Sequence, residues 1–191
     1  MNGGDSVEDA KIVALYWERS ELALSATADK YGDYLSSIAL NILANREDAQ
    51  ECVNDTYHDA WNAMPPHRPN LLQTFLGKIT RRISIDRWRQ HRAAKRGGGE
   101  LPLVLEELSD CVSGAENIED ELSHLELVRR FNRFLKALPA TERCIFLRRY
   151  WYMDSIPTIA ERYGFSRSKV TSMLHRTRGK LRTVLEQEGY I

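Results

Sequence analysis

Between Ser166 and Arg178 short hydroxyl side chains alternate with long cationic ones: Ser166, Arg167, Ser168, Lys169, Thr171, Ser172, His175, Arg176 and Arg178. Such groups hydrogen-bond to base edges and pair with phosphates. No acidic residue interrupts them before Glu186. Their spacing places them on the outer face of a helix whose inner face is Val170, Met173, Leu174, Thr177 and Leu181. The preceding stretch supplies what two closely crossing helices require. Ile156 to Tyr163 reads as a short helix capped by Ser155, with Pro157 tolerated in the first turn; Gly164-Phe165 is a turn, and Ser166 caps the second helix. Ala160 is small enough for helix contact, Gly164 suits a tight or left-handed turn, and Val170 anchors the second helix inward. Together these residues predict a helix-turn-helix, whose second helix enters the major groove of duplex DNA.

A second basic cluster lies between Lys78 and Arg96, eight cations against the single Asp86. The formal net charge of the 191 residues is zero, but it is unevenly spread. There are 11 basic and 13 acidic residues up to Arg92, 2 and 8 from Ala93 to Ser123, and 14 and 6 from His124 onward. The two basic clusters attract polyanions, and the acidic middle would be repelled by them.

Helical periodicity positions these clusters. Apolar residues recur at three- and four-residue intervals, and no stretch sustains the alternation of a strand, so the chain is expected to be all-α. Leu22 to Leu43 forms one amphipathic helix that buries Tyr34, Leu35, Ile38, Ala39 and Ile42. Asn45 caps a second, with Glu47 and Asp48 in its first turn and a stripe of Ala49, Cys52, Val53, Thr56, Tyr57, Ala60, Trp61 and Met64 that ends at Pro65-Pro66. A third carries Leu72, Phe75, Leu76, Ile79, Ile83 and Trp88. From Lys95 to Glu121 the triple glycine 97–99, Pro102, Gly114 and the acidic excess read as a flexible linker. Order resumes at Ser123, which with Glu126 forms a capping box, and at Leu127, Phe131, Phe134, Leu135 and Leu138; Thr141 caps the next helix, which carries Ile145, Phe146 and Trp151. The expected organisation is two small helical domains, 1–94 and 122–191, joined by the acidic linker 95–121.

A hydrophobic fraction of 42% with 28% charged residues is that of a folded protein. There is no apolar run of about 20 residues and no signal-peptide pattern at the start, so the expected location is the cytoplasm, without membrane insertion. Cys52, Cys111 and Cys144 are widely separated, and His58, His67, His91, His124 and His175 lack ligand spacing. Neither a zinc site nor any other metal is expected, nor a cofactor. Paired carboxylates, a nucleophile with its base, and a phosphate-cradling glycine loop are all missing, which argues against an enzyme.

Three segments carry a family resemblance. Asp48-Ala-Gln-Glu-Cys-Val-Asn-Asp-Thr-Tyr-His-Asp-Ala-Trp61 is similar to D-A-E-D-x-V-Q-E-T-F-x-x-A-W, the polymerase-binding helix of the small extracytoplasmic-function class of bacterial sigma factors. Phe75-Leu-Gly-Lys-Ile-Thr-Arg-Arg-Ile-Ser-Ile-Asp-Arg-Trp-Arg89 resembles that class's minus-ten helix, and the stretch from Leu138-Pro-Ala-Thr-Glu-Arg143 through Ser172-Met-Leu-His-Arg-Thr-Arg-Gly-Lys-Leu-Arg182 its minus-thirty-five reader. Asn54 stands where glutamine is usual, Arg82 where asparagine is common, and the proline-rich loop 65–71 departs from the family's Gly/Ser version.

The resemblance implies a promoter-specific initiation factor that works with core RNA polymerase, promoter DNA as duplex and as melted strand, and an anti-sigma protein. Glu51, Asn54, Asp55 and Asp59 would dock on polymerase. His67, Arg68 and Asn70 would hydrogen-bond to an unstacked base, and Lys78, Arg81, Arg82, Arg87 and Arg89 would follow phosphates. The acidic linker would mimic RNA in the polymerase channels. The competing reading is a stand-alone helix-turn-helix regulator that binds duplex DNA as a dimer. It accounts for the C-terminal half but not for the pattern 48–61 or the basic block 78–96.

Overall fold

A computed structural model of the chain describes residues 3–92, 101–112 and 121–187, with side chains described for 9–91, 101–108 and 127–187. Among the described residues all regular structure is helical. The chain divides into two compact units, Met1–Gly99 and Glu100–Ile191.

In the first unit, α2 (Leu22–Leu43), α3 (Arg46–Ala63) and α4 (Leu72–Arg92) pack against one another, and α1 (Gly3–Trp17) lies on α2. The start of α3 is capped as the sequence implies, with Asn45 Oδ1 accepting the amides of Glu47 at 2.8 Å and Asp48 at 3.3 Å. Within the largely apolar core, pairs of hydroxyls bond to each other and to the preceding turn. Thr56 and Thr80 Oγ1 atoms lie 3.0 Å apart across α3 and α4, so that one hydroxyl donates to the other, which in turn donates to the carbonyl four residues before it. Tyr16 and Thr27 make the equivalent link between α1 and α2 at 2.9 Å. Paired in this way, buried hydroxyls avoid the roughly 1–3 kcal/mol cost of an unmet polar group. Gly77 sits where α4 presses on α2: a Cβ there would collide with the Tyr34 hydroxyl, so the absence of a side chain permits the approach.

The second unit comprises α5 (Leu101–Val112), α6 (Glu121–Ala137), α7 (Ala140–Tyr150), α8 (Ile156–Tyr163) and α9 (Arg167–Gln187). Phe131, Phe134, Phe146 and Tyr150 form its aromatic cluster, with the Phe146 and Tyr150 ring centroids 4.5 Å apart. Phe146 is 2% exposed, and truncating such a ring costs about 3–5 kcal/mol.

Several local expectations are corrected. Residues 101–112, read as linker, form α5, whose Leu101 and Val104 are buried and which packs on α9. The residues 93–100 and 113–120 on either side lie outside the described part. The second unit therefore begins before residue 122. Ser123 falls inside α6, so it is not the cap at its start; its side chain lies outside the described residues. Thr141 is likewise inside α7, which starts after Pro139. Phe131 stays 37% exposed at the edge of its cluster.

Candidate functional site

The turn between α8 and α9 is built as its residues demand. Gly164 adopts φ 63°, the left-handed region that costs a glycine least, and the Phe165 amide donates to the Ala160 carbonyl at 2.9 Å to close the helix end. Ser155 Oγ accepts the Thr158 amide at 3.3 Å, and Ser166 Oγ the Lys169 amide at 3.2 Å. Ile159 and Ala160 of α8 and Val170, Leu174, Thr177 and Leu181 of α9 are buried, and the two helices are in contact. Replacing Gly164 with valine forces a β-branched residue into that conformation and should lower stability by ~1–3 kcal/mol. Denaturant unfolding of the full chain would register this, and an unchanged midpoint would show that the turn is not under conformational constraint.

This stripe turns Ser166, Arg167, Ser168, Lys169, Thr171, Ser172, His175 and Arg176 to solvent on one side of α9. The Lys169 ammonium lies 3.5 Å from the centroid of the Phe165 ring, and Thr171 Oγ1 donates to the Arg167 carbonyl at 3.0 Å. The positive end of the helix dipole adds to the cations at the same end. Arg178 does not join this face. Its side chain is only 15% exposed and turns inward, where Nη1 donates to Glu107 Oε2 at 3.2 Å and to the Tyr150 hydroxyl at 2.8 Å. Farther along, Lys180 pairs with Glu142 at 2.9 Å and Arg182 with Glu186 at 2.9 Å.

In the first unit Glu51, Asn54, Asp55 and Asp59 line one side of α3, the first three exposed and Asp59 half-exposed. The basic residues of α4 divide. Lys78 and Arg89 face solvent, and Arg89 pairs with Asp86 at 3.5 Å. Arg82 instead pairs with Asp59 at 2.7 Å, while Arg87 spans Glu51 and Asp55, its distance to Asp55 being 3.4 Å. Arg82 and Arg87 of the expected phosphate track thus also pair with carboxylates across α3 and α4, Arg82 remaining exposed and Arg87 largely buried. Arg81 is half-buried, and burial lowers its pKa from the ordinary guanidinium value. Arg87 keeps a raised pKa although burial opposes its charge, because Glu51 and Asp55 outweigh that penalty.

His67, Arg68 and Asn70 are exposed on the loop before α4, beside Leu71, which is 66% exposed. The end of α1 holds this loop. Trp17 Nε1 donates to the His67 carbonyl at 3.3 Å, the Arg68 guanidinium lies 5.4 Å from the centroid of the Trp17 ring, and Arg19 donates to the Trp61 carbonyl at 2.7 Å. Trp17 and Arg19 were not evident from the sequence, because nothing local connects residue 17 with a loop 50 positions away.

Among the described residues no group of histidine, cysteine and carboxylate side chains is gathered to hold a metal, and no helix is long and apolar enough to cross a membrane. Two family models match the chain: Sigma-70 region 2 over residues 27–94, and Sigma-70, region 4 over residues 134–183. No curated protein matches. Among solved structures the chain is similar to CnrH, described in complex with the cytosolic domain of CnrY, at 20% identity and a TM-score of 0.44 over 94% of this chain and 98% of that one.

Proposed function

Because the chain belongs to the sigma-70 family, of which it carries regions 2 and 4 in order, we propose that it is a promoter-specific initiation factor of the extracytoplasmic-function class. The observation that carries this reading is the joining, in one chain, of an exposed acidic helix face on α3 with a cationic recognition face on α9. A DNA-binding regulator has no need of the first.

In this reading Glu51, Asn54, Asp55 and Asp59 meet core RNA polymerase. Arg87 lies beneath Glu51 and Asp55 and restrains their rotamers, so this part of the face is ordered before binding and less side-chain entropy is lost on docking. Lys78, Arg81 and Arg89 remain near the melted strand, and His67, Arg68 and Asn70 offer donors and acceptors to an extruded base. Extrusion costs a few kcal/mol, which capture of the correct base offsets. The outer face of α9 reads the upstream duplex, Arg167, Ser168, Lys169 and Thr171 at the base edges and Arg176 at an edge or a phosphate. An anti-sigma protein is the expected regulator, as the sequence resemblance implies.

The test compares the chain alone with the chain plus core polymerase. Alone it should show only salt-sensitive, sequence-indifferent duplex binding; with core it should form a heparin-resistant promoter complex. Tight sequence-specific binding by the chain alone, as a dimer, would favour the regulator reading.

A further inference from the structure

We infer that Glu107, on α5 and outside both matched regions, is a positioning residue for the second DNA-reading unit. It fixes α7 against α9 and holds Arg178 away from the DNA face. This rests on the proposed function for its DNA readout, but the geometry stands independently.

Leu101 and Val104 are 1% and 0% exposed, and Glu107 continues their spacing, so burial of this side of α5 delivers its carboxylate to α7 and α9. Arg149 of α7 donates Nε to Oε1 at 3.1 Å and to Oε2 at 3.3 Å, and Nη2 to Oε1 at 2.7 Å. Tyr150, also of α7, donates its hydroxyl to Oε2 at 2.7 Å, and Arg178 of α9 reaches the same oxygen at 3.2 Å. The remaining arm of Arg149, Nη1, donates to the Asp154 carbonyl at 3.0 Å, next to the residue that caps α8. One carboxylate thus contacts α7 and α9 directly and the start of α8 through Arg149.

The charge balance explains why an acid must stand there. Arg149 is 1% exposed, and a guanidinium so deep requires a hydrogen-bonded anion. Arg178 is a second cation bonded to the same carboxylate. The Tyr150 phenol, whose pKa is raised by burial and by Glu107, stays protonated and remains a donor between them. Removing the carboxylate sets two guanidinium groups against each other at the joint between α7 and α9. Arg178, on the more exposed of the two helices, would turn outward and tilt α9.

The experiment uses the full chain with Glu107→Gln, alone and combined with Arg149→Met, which removes the buried charge as well. Two readouts are taken: amide hydrogen exchange of the free chain, and run-off with core polymerase. The templates are a complete promoter and a premelted one lacking the minus-thirty-five element. For Glu107→Gln, exchange in α7 and α9 should rise by about tenfold or more while α2 to α4 stay unchanged. Output from the complete promoter should fall by about tenfold, and output from the premelted template should stay within about twofold of the unaltered chain. The double variant should regain exchange protection in α7, because the deeply buried Arg149 charge is removed together with its carboxylate, but it should keep part of the minus-thirty-five loss, because Arg178 is left without Glu107.

Unchanged exchange, or minus-thirty-five output that is equal or higher, would overturn the inference. If the single variant leaves the second unit unfolded, the double variant decides: regained helix with minus-thirty-five output still below that of the unaltered chain sustains the inference, and any other result overturns it. Failure of the unaltered chain to transcribe with core polymerase would instead defeat the proposed function. The exchange result on the free chain would still decide whether Glu107 holds α7 to α9.

Discussion

Replacing Asn54 and Asp55 together with alanine is expected to weaken binding to core RNA polymerase by about 30- to 5,000-fold and to lower transcription from every promoter alike. Both side chains are exposed on α3 and lie off the buried stripe of Ala49, Cys52, Val53, Thr56 and Ala60, so the core is untouched. Within the folded chain Asp55 gives up a 3.4 Å pair with Arg87, at a carboxylate 54% exposed. Such surface pairs contribute about 0–1 kcal/mol. Polar groups desolvated at an interface typically cost about 2–5 kcal/mol when truncated, which sets the predicted range. Competition for labelled core polymerase would give the affinity and thermal unfolding the stability. Unchanged affinity at unchanged stability would move the polymerase contact away from this face. Collapse of stability would mean that the Arg82 and Arg87 seam bears more of the fold than its exposure suggests.

The second large effect is on sequence choice. Arg167 opens α9 beside its cap, where side chains at a recognition helix's N-terminus reach base edges, and a bidentate arginine–guanine contact is worth ~1–3 kcal/mol. Arg167→Ala should therefore change preference at one minus-thirty-five position by about 5- to 150-fold while leaving the minus-ten preference alone. Lys180→Ala provides the contrast. Lys180 lies over three turns farther along and is paired with Glu142 at 2.9 Å, so it can meet only backbone, and only by giving up that partner. Its loss should weaken all duplexes evenly and reduce the salt slope by at most about 0.9. An even loss for Arg167→Ala with altered preference for Lys180→Ala would show that α9 lies in the groove the other way round.

Local signals in the sequence carried α2, the Asn45 cap, the end of α3 at its prolines and the inner stripe of α9. Periods of three and four residues and side chains that bond to nearby amides act within a turn or two. The carboxylate partners of Arg178, Arg82 and Arg87 were not legible for the complementary reason. Each was grouped with DNA-facing cations by charge and helical phase, yet their partners lie 71, 23 and up to 36 residues away in sequence. A residue on the margin of a buried stripe can turn to either side, and only tertiary contacts decide which. The helix α5 was hidden by composition: Pro102, the neighbouring glycines and four acidic residues from Glu100 to Asp110 resemble linker, and the packing of α5 on α9 that accompanies the burial of Leu101 and Val104 is distant in sequence. The brace of Trp17 on the loop at His67 was invisible for the same reason of distance in sequence.

Run-off transcription over a randomised promoter library, with and without core polymerase, tests the central claim most directly. Products are expected only when chain and core polymerase are both present, from templates that share two short elements at a fixed spacing, the upstream one changing with Arg167→Ala. Products indifferent to sequence, or a chain that selects one palindromic duplex unaided and adds nothing to core polymerase, would contradict it.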